Sequence, residues 1–136
     1  MEIKVEGGRC LMYQVNTLTK YISEIKYAKE DTGVNKPENS VMVEAFIRDV
    51  YHFIDNNNEL ELTQYQHILS GSGIEWGVQK IEDIDVSVLD GKCVLAIIVG
   101  IIRADRFCDG IIVEYFKNVY LLKCLERLAE IDKALN

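Results

Sequence analysis

The sequence predicts an all-α fold, a single compact domain of about five helices around a central hydrophobic helix. Three observations predict it. Apolar residues recur at helical spacing over residues 11–27 and 119–135. The segment Cys93-Val94-Leu95-Ala96-Ile97-Ile98-Val99-Gly100-Ile101-Ile102 is apolar on every side, as befits a helix enclosed by others. Pro37 is the one proline, which suits long helices and few rigid loops. At 136 residues the chain can close one hydrophobic core.

The elements follow in order. Residues 1–10 read as an N-terminal lead, irregular or a short strand, because Ile3 and Val5 alternate with charges before Gly7-Gly8. Residues 11–136 read as the single helical domain. Leu11, Val15, Leu18, Ile22 and Ile25 form one stripe of a first helix over 11–27. Lys29 to Asn39 is a polar connector holding Gly33 and Pro37. A second helix starts between Pro37 and Ser40, with Asn39 and Ser40 both competent N-caps. Its apolar face is Val43, Phe46, Ile47, Val50, Phe53 and Ile54, and Asp55-Asn56-Asn57-Asn58 ends it.

A short helix over Thr63–Leu69 is stopped by Ser70-Gly71-Ser72-Gly73. Residues 74–88 fit a strand or a packed loop, with Glu82, Asp83 and Asp85 keeping them solvated. Asp90 is the expected N-cap of the central helix, which continues through Cys108 and ends at Gly110. The β-branched content of 93–102 would also suit a buried strand, and the length of the run favours helix. A short helix, Ile111–Lys117, is followed by Asn118 as a C-cap. The last helix, about Val119–Leu135, has Leu121, Leu125, Leu128, Ile131 and Leu135 on its core stripe. Lys123, Glu126, Arg127, Glu130 and Lys133 form its solvated face.

Charge narrows the function classes. Lys and Arg total 15 against 22 Asp and Glu, a net charge of -7. Nucleic-acid binding needs a basic face to neutralise phosphates, so no nucleic-acid partner is expected. A basic protein partner is compatible with this charge. The N-terminus is charged and lacks the apolar stretch of a signal peptide, and the run 93–102 is short for a membrane span. A cytoplasmic setting with reduced thiols is therefore expected, and no membrane partner.

The four cysteines, Cys10, Cys93, Cys108 and Cys124, form no C-x-x-C pair and no zinc-knuckle spacing. Asp49, His52 and Asp55 could share a helix face, but no second cluster would complete a metal site, and His67 stands apart. Ser70-Gly71-Ser72-Gly73 lacks the lysine and the strand–loop–helix setting of a phosphate loop. The tyrosines read as core edges with one wet end, and Trp76 as a buried anchor or an interface residue. No catalytic residue, metal or cofactor is expected.

One segment needs explaining. Arg103, Asp105, Arg106 and Asp109 directly follow the most hydrophobic stretch of the chain. On a helix Arg103 and Arg106 are i, i+3 neighbours, and Asp105 and Asp109 are i, i+4 neighbours. Charges beside a core must be paired, so the four residues read as a structural ion network. Alternatively, Arg103 and Arg106 form an anion-binding site, since guanidinium forks suit planar anions. Catalysis by Cys108 would need a base within reach, which the sequence does not place there.

The same segment resembles a family of small bacterial and phage proteins of unknown function. There an apolar helix runs into R-A-D-R-F-C-D/E-G, then a short helix, then a Leu-rich terminal helix ending R-L-x-E-I/L-D. This chain has Ile102-Arg103-Ala104-Asp105-Arg106-Phe107-Cys108-Asp109-Gly110 and later Arg127-Leu128-Ala129-Glu130-Ile131-Asp132. The likeness is strong over 93–132 and looser over Leu18–Trp76. Asn118 stands where relatives often have Gly, and either residue can cap a helix. The resemblance implies a helical domain and no particular activity.

Three functions fit these observations. The first is a non-enzymatic protein-interaction domain, regulatory or defence-related by analogy. The second is a small-ligand or anion-binding module, or a weak enzyme, using Arg103 and Arg106. The third is a homo-oligomeric structural protein.

Overall fold

A computed structural model describes residues 15–30, 40–77, 80–105 and 120–135. Six α-helices and four short 3₁₀ turns lie in these segments, and no strand occurs among the described residues. We label them α1 (Asn16–Thr19), α2 (Tyr21–Glu30), α3 (Ser40–Asn56), α4 (Tyr65–Ser70), α5 (Gly91–Asp105) and α6 (Tyr120–Leu135).

The apolar run folds as α5, and α5 is central. Val94, Ala96, Ile97, Ile98 and Ile101 are fully shielded from solvent. Asp90 caps it as expected: its Oδ1 accepts the Cys93 N–H at 2.9 Å, and its carbonyl accepts the Val94 N–H at 3.1 Å. Helices α4 and α6 and the turn Leu62–Gln64 pack on it. Gly100 is a notch for the Trp76 ring. A methyl group placed there would lie 2.6 Å from two ring carbons, closer than packed atoms come. The half-buried Trp76 is also held edge-on by Tyr65, with ring centroids 5.5 Å apart.

The stripe of the first helix is buried at Val15, Leu18 and Ile25, but the helix is interrupted. At Lys20 the turn tightens, giving α1 and α2 in place of one element. Helix α2 also runs to Glu30, past the expected end, because Ala28, Lys29 and Glu30 are good helix formers. Helix α3 buries Val43, Phe46, Val50, Phe53 and Ile54. Asn57 ends it: its side-chain amide donates to the Phe53 carbonyl at 2.9 Å, one of the carbonyls left open at a helix C-terminus. Asn57 itself is buried.

Helix α4 closes with the glycine cap that Ser70-Gly71-Ser72-Gly73 foreshadows. The Ile74 N–H reaches the Leu69 carbonyl at 2.9 Å and the Gly73 N–H reaches the Ser70 carbonyl at 3.0 Å. Gly73 has φ +83°, a backbone state that glycine adopts without strain. Leu69 and Ile74, which flank this cap, are both buried. Within 80–88 the chain forms two 3₁₀ turns, Ile81–Asp83 and Val86–Val88, rather than a strand. Ile84 and Val86 point inward while Glu82, Asp83 and Asp85 stay in solvent. Helix α6 buries Leu121, Cys124, Leu125 and Leu128. The lead 1–10, Leu11, the cap at Gly110 and the short helix Ile111–Lys117 with Asn118 lie outside the described residues.

Candidate functional site

Of the Arg/Asp cluster, Arg103 is described with its side chain. It is half-buried on the last turn of α5, where a cation complements the helix dipole. No described carboxylate forms an ion pair with it. Asp105 is the last residue of α5. The Asp105 side chain, Arg106, Cys108 and Asp109 lie outside what is described, so the pairing expected for this network is not described.

The other constellations resolve into structure. Asp49 accepts a hydrogen bond from the Tyr21 hydroxyl at 2.7 Å and pairs with Lys20 at 3.2 Å. Burial would push its carboxyl up, but these two partners outweigh burial and hold it below the usual aspartate range. Burial, then the Asp49 carboxylate, pushes the Tyr21 hydroxyl up. Asp49 is thus engaged away from His52, and His52, Asp55 and His67 are exposed. No group of three His, Cys, Asp or Glu side chains among the described residues is placed to hold a metal. Cys93 and Cys124 are buried free thiols, and burial raises both above the ordinary thiol range, so neither is an activated nucleophile.

A groove that the sequence reading did not anticipate lies elsewhere. The strap Glu82–Ser87 lies beside α6, and between them runs an open groove with a volume of about 460 Å³. Two bonds hold the strap down. The buried Tyr120 donates its hydroxyl to the Ile84 carbonyl at 2.9 Å, and Arg127 Nε donates to the Leu89 carbonyl at 3.0 Å. Between these anchors, Asp85 caps the turn Val86–Val88 by accepting from the Ser87 N–H at 3.0 Å and the Ser87 hydroxyl at 2.6 Å. Those bonds, with the nearby Lys123 charge, hold the Asp85 carboxyl below its usual range.

The groove carries five carboxylates, Glu82, Asp83, Asp85, Glu126 and Glu130, against two cations, Lys123 and Arg127. Several of the five are engaged within the fold, Asp85 by Ser87 as above. Glu126 pairs with Lys26 of α2 at 3.2 Å, and Glu130 with Arg127 at 3.3 Å. The signal in the sequence was the acid triplet 82, 83 and 85 and the i, i+4 pair Glu126 and Glu130. Only the fold brings the two sets together.

The family can now be placed. A family model matches residues 13–134, nearly the whole chain. The chain belongs to DUF6508, a family of unknown function. The DUF6508 match covers α1 through α6 and both walls of the groove, a wider span than the region of strong likeness at 93–132. Searches of curated proteins and of solved structures found no match. No helix among the described residues of this DUF6508 protein is long and apolar enough to cross a membrane.

Proposed function

We propose that this DUF6508 protein is a non-enzymatic, cytoplasmic interaction domain that receives a basic segment of a protein partner in the groove between the strap and α6. The observation that carries the reading is the groove's charge: five carboxylates facing two cations in a concavity large enough for a few side chains. Lysine and arginine side chains of a partner would find acceptors already positioned on a strap that is hydrogen-bonded in place. The buried, unactivated thiols Cys93 and Cys124 favour binding over chemistry.

The test is binding of proteins from the native host to the full chain and to the double variant Glu82→Gln/Asp83→Asn. The reading expects a partner whose retention falls with the double variant and with rising salt, because exposed charge contacts are screened. Retention that is indifferent to both changes would sink it. So would a partner held through Arg103 instead.

A further inference from the structure

Gly100 stands in the interior of α5, where glycine is a poorer helix former than alanine. The Trp76 ring fills the space of its missing Cβ. These two partners are held very differently. Ile97, Ile98 and Ile101, close to Gly100 on α5, are fully shielded from solvent, and α4 and α6 pack on the helix. Trp76 is half-buried, outside any helix, between the exposed Glu75 and Gly77. Its indole N–H has no hydrogen-bond partner among the described residues, so the contacts that seat the ring are apolar, with the notch and with the edge of Tyr65. Upstream, Ile74 is buried and its N–H is tied to the Leu69 carbonyl at 2.9 Å. Downstream, Gly77 has φ +92° and nothing within 4 Å of where a Cβ would stand. Moving α5 would disturb the whole core, whereas moving the ring disturbs one short segment, and local opening follows the weakest contacts.

We infer that Trp76 is a latch whose ring leaves and re-enters the Gly100 notch while the core stays folded, and that the slot it vacates is a preformed site for a flat, uncharged aromatic ring. Trp76 is then the slot's own occupant. The slot keeps its shape because its floor is the backbone of an enclosed helix. Its wall, Tyr65, stands on α4, whose far end is closed by the cap at Gly73. A rigid apolar slot of this kind stays dry when empty and takes an aromatic guest. Such a guest competes with Trp76 for one seat, and it shifts the latch only by as much as it prefers the open state. The inference is independent of the groove beside α6.

Two measurements on the full chain test this. The first follows the wild type in urea by tryptophan emission, which reports Trp76 alone, and by far-ultraviolet circular dichroism. The inference expects the emission to shift to the red, and acrylamide quenching to rise, at urea concentrations where the helical signal is still native. Coincident transitions would overturn the latch, since the ring would then leave only with the core. The second adds indole to Trp76→Ala and to the double variant Trp76→Ala/Gly100→Ala, whose extra methyl group fills the notch. Indole should raise the melting temperature of the single variant by about 2–4 °C, the scale of a ligand at a few times its Kd, and leave the double variant unmoved. Equal shifts in both variants would place the indole elsewhere. No shift in either would mean that the slot collapses when the ring leaves. Both results would overturn the preformed site.

Discussion

At Gly100 one missing side chain decides how the core closes. Trp76 occupies the space a Cβ would fill, so Gly100→Ala forces the ring out or the helix away. Overpacking of this kind costs about 1–3 kcal/mol. Because Trp76 is the sole tryptophan, its emission reports the event directly. The expected result is a lower melting temperature and a red-shifted emission from a more solvated indole. An unchanged spectrum would mean that the notch does not position Trp76.

Asp49 gives a second residue-scale prediction, in pH. Its folded carboxyl titrates below the usual range, held there by Tyr21 and Lys20 against the effect of burial. A carboxyl depressed by folding contributes stability that is present above its unfolded pKa. That stability is lost as pH falls through the folded value. Tyr21→Phe removes the 2.7 Å hydrogen bond while keeping the edge-on ring contact with Phe46 at 5.3 Å. The variant should lose about 1.5–3 kcal/mol at neutral pH, the net size of a hydrogen bond to a charged group. The deficit should shrink as pH falls through the Asp49 titration. A deficit that persists undiminished at low pH would place the loss in packing and not in the Asp49 contact.

At the scale of elements, the strap is the feature to test. Its side chains turn outward except Ile84 and Val86, which are buried in the core, and the two bonds to α6 complete its attachment. Tyr120→Phe leaves the Ile84 carbonyl without its donor and should cost about 1 kcal/mol. Amide hydrogen exchange should then rise over 84–89 while α5 stays protected, because local opening follows the weakest contacts. Equal acceleration in both would show that Tyr120 supports the whole core rather than the strap.

The helices themselves were legible. The stripe Leu121, Leu125, Leu128 has one reading, and burial agrees with it. The Asp90 cap and the glycine stop after α4 were equally plain, since cap chemistry is local. The interruption at Lys20 was not, because no residue there is a helix breaker and only the backbone angles at Lys20 show it. Residues 74–88 were ambiguous for a related reason. Alternation in Ile84, Val86 and Val88 mimics a strand, whereas the chain there forms 3₁₀ turns, the second capped by Asp85. The groove was invisible for a stronger reason: its two walls are some forty residues apart, and charge alone does not reveal which acids will meet.

At the scale of the whole molecule, the net charge of -7 is unevenly engaged. Asp49 on α3 is tied to Tyr21 and Lys20, whereas the strap presents Asp83 to solvent with no ion pair among the described residues. A net negative charge is compatible with a basic protein partner, and five carboxylates line the concavity between the strap and α6. The reading of Arg103, Asp105, Arg106 and Asp109 as an anion site competes with this one, and the two predict opposite ligands. The most direct test is residue-resolved NMR of the full chain titrated with octalysine and, separately, with inorganic phosphate. The account predicts that octalysine shifts amide signals of 82–87 and of α6 from Tyr120 to Glu130, while phosphate leaves them unmoved. Octalysine shifts spread evenly over the exposed acids of α3, or phosphate shifts centred on Arg103, would contradict it.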